Sequence, residues 1–177
     1  VESLSNTVLE RLDKGHTRED VIEALRILRT AGIVMRPTFV SFTPWATIDD
    51  YIDVLEFVES QDLIDHVDPV QYSIRLLVPP GSLLLSKPDS HRWLGRLVQE
   101  SFSHEWAHPD SQMDELHKRV TALVEQAAVG NEDAAETFYT ILELAQTLRG
   151  DAPASRSGLP VDPARLRPPR LTEAWFC

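Results

Sequence analysis

The chain has 177 residues and a formal charge of −11, with 28 Asp and Glu against 17 Lys and Arg. Its length suffices for one domain with a sizeable core. The charge argues against a nucleic-acid surface or an anionic membrane surface, both of which need clustered cations. No apolar run approaches a membrane span, and no basic, then apolar, then small-residue start marks a signal peptide. The one cysteine, Cys177, closes no internal disulfide, so a reducing, cytoplasmic home is expected. An iron–sulfur cluster takes about three or four thiolates, which this chain does not supply.

Ser3 or Ser5 caps a first helix with Leu4, Val8, Leu9 and Leu12 on one stripe and Gly15 just past its end. Thr17-Arg18-Glu19-Asp20 reads as a capping box, followed by Val21, Leu25 and Leu28 at helical spacing and a stop at Gly32. Residues 33–42 are rich in β-branched and aromatic side chains and read as a strand interrupted by Pro37. Thr47-Ile48-Asp49-Asp50 opens the next helix, with Ile48, Tyr51, Ile52, Leu55 and Val58 facing the core. Residues 70–78 read as a second strand closed by Pro79-Pro80-Gly81. This alternation of helix and strand predicts an α/β fold of parallel strands joined by crossover helices.

From residue 90 to 149 only helices are expected. Met113, Leu116, Val120, Leu123 and Ala127 form one stripe, and Ala134, Phe138, Ile141, Ala145 and Leu148 another. The turn at Gly130-Asn131 joins them into an antiparallel helical hairpin. From residue 150 onward, prolines at 153, 160, 163, 168 and 169 predict an extended or disordered tail.

One face of the first strand carries Val34, Arg36, Thr38 and Val40, and one face of the second carries Gln71, Ser73 and Arg75. Unpaired burial of such groups costs about 1–3 kcal/mol each, so a polar ligand held between the strands would satisfy them. The alternative is that Arg36 and Arg75 lie near strand ends and pair with acidic residues. Separately, His104-Glu105-Trp106-Ala107-His108 matches His-Glu-x-x-His. On a helix His104 and His108 would share a face and bind zinc, with Glu105 as general base and Glu115 or His117 as a third ligand. Against this zinc-hydrolase reading, Pro109 ends any helix at once. A third class is a non-catalytic interaction module built on the helical hairpin, although amphipathic stripes are usually core.

Val1-Glu2-Ser3, then Asp13-Lys14-Gly15-His16, then the segment ending in Thr43-Pro44-Trp45-Ala46-Thr47, and finally Val78-Pro79-Pro80-Gly81-Ser82 follow one another in an order that resembles the second half of a radical S-adenosylmethionine (radical SAM) enzyme. Leu171-Thr172-Glu173-Ala174-Trp175-Phe176-Cys177 is similar to the end of a radical SAM group whose chains carry Cys-Sec-Ala-Glu-Pro or Cys-Cys-Ala-Glu-Pro. The resemblance implies that 1–86 is the C-terminal part of a partial (β/α)6, TIM-like barrel, 87–149 a helical extension, and 150–177 a tail stopping before a Cys/Sec motif. It implies that Glu2 accepts the ribose hydroxyls of S-adenosylmethionine with Ser3 beside it, that Lys14 meets the methionyl carboxylate, and that Thr38 approaches the nucleoside. Arg36, Gln71, Ser73 and Arg75 would face a small-molecule or peptide substrate, and Cys177 would be half of a redox pair, a selenoprotein feature if a UGA codon follows. The full-length enzyme would hold a [4Fe–4S] cluster on a Cys-x3-Cys-x2-Cys loop and cleave S-adenosylmethionine reductively to a 5′-deoxyadenosyl radical. That loop is absent from this sequence, so the chain alone is expected to be inert and to need the N-terminal half of the barrel as its partner.

Overall fold

Two reciprocal caps fix where the first long helices begin. In the computed structural model, which describes residues 1–152 and 167–168, the Thr17 amide donates to Asp20 Oδ2 at 2.8 Å and the Thr47 amide to Asp50 Oδ2 at 2.8 Å. These caps open α2 (Arg18–Thr30) and α3 (Ile48–Ser60). A shorter helix, α1 (Asn6–Arg11), precedes them. It ends with Asp13 left-handed at φ 54°, so that the Lys14 amide reaches back to the Leu9 carbonyl at 3.0 Å and the Asp13 amide to Glu10 at 3.0 Å. Expectations for the tail, Cys177 included, lie outside the described residues.

Three extended segments, 1–3, 38–42 and 74–76, lie side by side in chain order and run parallel, with α1–α2 and α3 between them. Parallel bridges join Glu2 to Phe39 and Phe42 to Arg75. The Glu2 amide donates to Thr38 O at 3.1 Å and the Val40 amide to Glu2 O at 2.8 Å. The Phe42 amide donates to Ile74 O at 3.0 Å and the Leu76 amide to Phe42 O at 2.8 Å.

The regular strands expected over 33–42 and 70–78 are reduced to these bridges, for two local reasons. Pro37 offers no N–H, and the Phe39 amide is taken at 3.1 Å by the side-chain oxygen of Gln71 in place of a backbone rung. Pro69 opens a 3₁₀ turn over Pro69–Tyr72, closed by the Ser73 hydroxyl donating to Val70 O at 2.9 Å. The chain becomes extended only after Ser73. Gln71, Ser73 and Arg75 therefore do not alternate along one strand face as the period-2 reading expects.

The all-helical reading of 90–149 also needs correction. β1 (Leu94–Val98) and β2 (Ser103–Trp106) form an antiparallel hairpin, with Leu97 opposite His104 and Val98 opposite Ser103. Gly95 permits its close packing, since a Cβ there would lie 3.0 Å from Glu105 O. The hairpin is sewn to the third segment: the His104 amide donates to Val78 O at 2.8 Å, and Trp106 Nε1 to Leu76 O at 2.8 Å. Trp93 stands edge-on between Trp45, at 5.5 Å between ring centroids, and Trp106, at 6.4 Å.

The expected helical hairpin follows as α4 (Ser111–Gly130) and α5 (Ala134–Arg149), turning through Asn131 at φ 50°. Its apolar stripes are core: Leu116, Val120, Phe138 and Ile141 are fully buried in the same cluster as Leu4, Phe39, Phe42 and Leu55. Tyr51 donates to Tyr72 O at 2.9 Å within this core. No helix among the described residues is long and apolar enough to cross a membrane.

Candidate functional site

Some of the polar residues singled out by sequence gather in two groups. The first gathers where segment 1–3 hands over to α1. Glu2 is left-handed at φ 59°, a conformation that non-glycine residues hold only when their surroundings impose it. Backbone bonds to Thr38 and Val40 pin it from one side. Lys14, carried round by the left-handed turn through Asp13 and by Gly15 at φ 65°, places Nζ 3.0 Å from Glu2 Oε1. Burial alone would raise the Glu2 carboxyl, but the Lys14 hydrogen bond and the charges of the chain's amino group, Lys14 and His16 outweigh it and hold the pKa below the usual glutamate value. Ser3 is buried, and its hydroxyl accepts from the Ser5 amide at 3.1 Å. Thr38 is exposed beside Glu2, to which its carbonyl is bonded. Along this segment Pro37, Phe39 and Ser41 are buried, whereas Val34 and Thr38 are exposed and Arg36 and Val40 half-buried. Val34, Arg36, Thr38 and Val40 thus share the more open face of this segment. Lys14 and His16 line a cavity of about 390 Å³ together with Asn6, Leu9, Asp13 and Thr17.

The second group surrounds Arg75. Its guanidinium lies 3.7 Å from the centroid of the Trp106 ring and donates to Asp114 Oδ1 at 2.9 Å and to Trp106 O at 2.7 Å. Asp114 also accepts from the His108 amide at 3.0 Å. His117 packs edge-on against Phe42 at 4.8 Å. Its pKa is lowered, chiefly by burial and then by the Arg75 charge, while Ser73 and Asp114 pull the other way.

Arg36 pairs with Asp68 at 2.6 Å. Gln71 is buried, with its side chain serving Phe39 and its carbonyl accepting from the Ser41 hydroxyl at 2.8 Å. Arg36, Gln71, Ser73 and Arg75 thus direct polar atoms at this chain's own groups. Glu2 neighbours Ser3 in sequence, Lys14 through the ion pair and Thr38 through a backbone bond.

His104 and His108 do not share a helical face. His104 lies on β2 with Nδ1 3.2 Å from Gly95 O, whereas His108 lies beyond the strand and its Nδ1 accepts from the Asp110 amide at 2.9 Å. The helical spacing that His-Glu-x-x-His chemistry needs is absent, because the backbone there pairs with β1 and Val78. Among the described residues, no cluster of three or more His, Cys, Asp or Glu is arranged to hold a metal ion.

Sequence reasoning gave no role to His16, whose ring reaches back to Val1 O at 3.3 Å. Nor did it foresee Trp106 and Asp114 as the partners of Arg75. The Asp-Lys-Gly-His turn was legible, but a contact across fifteen residues leaves no local mark. No family model, curated protein or solved structure matches this chain.

Proposed function

We propose that this chain is the C-terminal part of a radical SAM barrel, carrying one side of the S-adenosylmethionine site and followed by a helical extension. The Glu2–Lys14 pair at 3.0 Å supports this most strongly, because a carboxylate and an ammonium stand together at the end of the first of three parallel segments. Ligands of open parallel sheets bind beyond the carboxyl ends of the strands. S-adenosylmethionine carries a ribose diol that donates to a carboxylate and an α-carboxylate that pairs with an ammonium. The ligand would exchange the Glu2–Lys14 pair for these two contacts, with Ser3 and Thr38 flanking the nucleoside.

The [4Fe–4S] cluster of such enzymes supplies the electron that cleaves S-adenosylmethionine. One thiol, Cys177, does not meet its need for ligands. The reading therefore makes the isolated chain a cytoplasmic, catalytically inert ligand-binding half whose substrate is unassigned. Arg36, Gln71, Ser73 and Arg75 serve the fold in this arrangement.

The binding test is calorimetric titration of the chain with S-adenosylmethionine. Saturable binding that weakens about 10- to 100-fold in Lys14→Met, the scale of one charge-assisted hydrogen bond, supports the reading. No saturable heat, or equal affinity in the variant, overturns it.

A further inference from the structure

His16 faces two carbonyl oxygens with its two ring nitrogens. Nδ1 lies 3.2 Å from Lys14 O and Nε2 lies 3.3 Å from Val1 O. A carbonyl oxygen only accepts, and a neutral imidazole has a single N–H. The neutral ring therefore bonds one carbonyl and turns a lone pair toward the other, whereas the doubly protonated ring donates to both.

The positions of these carbonyls give the contact its meaning. Val1 O belongs to the peptide entering Glu2, whose backbone is left-handed at φ 59°. Lys14 O belongs to the turn held between Asp13 and Gly15, both also at positive φ. The imidazole thus spans the two backbone bends that set Glu2 against Lys14. The charged groups around it are mixed. Glu2 and Lys14 lie on the side of the ion pair, with the chain's amino group 3.9 Å from Glu2. Asp20 approaches from the first turn of α2, and its carboxyl is held down first by its bonds to Thr17, with a smaller contribution from His16. Glu10 and Asp13 line the shared cavity.

We infer that His16 is the positioning residue of the Glu2–Lys14 pair: a proton-operated clip that ties the Lys14 turn to the strained bend at Glu2 when both ring nitrogens carry hydrogen. The clip rests on the functional reading above only in what it positions the pair for, namely an amino-acid–bearing adenosyl ligand. Its sign is fixed by the acceptors. As pH falls through the titration of the ring, the second bond forms and the Glu2 bend tightens; as pH rises, one bond is lost and the bend loosens.

The test follows three quantities on ¹⁵N-labelled chain between about pH 5 and 8, the range in which imidazoles titrate. These are the His16 ring nitrogens, the exchange protection factor of the Val40 amide, and S-adenosylmethionine affinity. Val40 reports on the bend because its N–H is bonded to Glu2 O at 2.8 Å. In the native chain, Val40 protection and affinity should rise together several-fold as the ring gains its second proton. In His16→Gln, which keeps one donor and the approximate volume, neither should rise on acidification, and the unfolding temperature at about pH 8 should match that of the native chain. A Val40 protection factor that ignores the titration of the ring, or the same pH profile in His16→Gln, overturns the clip. Absence of S-adenosylmethionine binding at every pH overturns the functional reading instead, and the clip is then decided by the ring-nitrogen and Val40 data.

Discussion

Replacing Gln71 with methionine preserves side-chain length and most of the volume while deleting the oxygen that the Phe39 amide uses at 3.1 Å. Gln71 is 6% exposed and Phe39 1%, so no solvent takes over the bond. A buried amide left without an acceptor costs about 1–3 kcal/mol. The Ser41 hydroxyl bond to the Gln71 carbonyl, at 2.8 Å, involves main chain and survives the substitution. In a domain of this size each kcal/mol lowers the midpoint by about 2–4 °C, so Gln71→Met should melt roughly 2 to 12 °C below the native chain. Urea unfolding followed by circular dichroism should show the loss as a lower midpoint at unchanged slope. A change within about 0.5 kcal/mol, the range of an ordinary surface substitution, would refute the reasoning. It would mean that the Phe39 amide is satisfied elsewhere and that the Gln71 amide is free to serve a ligand.

Arg75→Lys retains a charge opposite Asp114 but loses the flat contact 3.7 Å over Trp106 and one of two hydrogen bonds. A loss of about 1–2 kcal/mol with weakened near-ultraviolet tryptophan dichroism is expected, and equal stability would show that the guanidinium plane is not used. His117 supplies a pH dependence: burial, and then the Arg75 charge, set its folded pKa below the ordinary 6.5. The unfolded chain therefore takes up this proton more readily. The stability contributed by His117 is complete above the unfolded value and is lost as pH falls through the lower folded one. His117→Gln should flatten the slope of unfolding free energy below about pH 6.5, measured by denaturant titration at stepped pH; an unaltered slope removes His117 as its source.

Helix boundaries were legible because capping is local chemistry. Thr17 with Asp20, Thr47 with Asp50, and the turn at Asn131 are each read within four residues. The stripes of α4 and α5 were legible for the same reason, although Val124 rather than Leu123 is the fully buried member. The β-hairpin was not. His104-Glu105-Trp106 fits a helical period as well as an extended one, and the decision comes from Val78 and Leu76, more than twenty-five residues away. The period-2 reading of Gln71, Ser73 and Arg75 presumed an extended chain, and the 3₁₀ turn begun by Pro69 removed that premise. Of the two readings open for Arg36 and Arg75, pairing with acids is the one realised, through Asp68 and Asp114. Glu2 and Lys14 were singled out through family resemblance rather than pattern, as separate contacts to a ligand and not as partners of each other. His16 needed the three-dimensional turn.

The core draws on both ends of the described chain, for Leu4 and Ala145 belong to one buried cluster. During synthesis the parallel segments leave the ribosome long before α5, with Phe39, Phe42 and Leu55 still lacking the helices that cover them. Vectorial folding therefore leaves this shared core uncovered until α5 has emerged. Deleting the helical hairpin would reproduce that state permanently. The extension is a late-arriving keystone of the fold rather than an appendage to be trimmed.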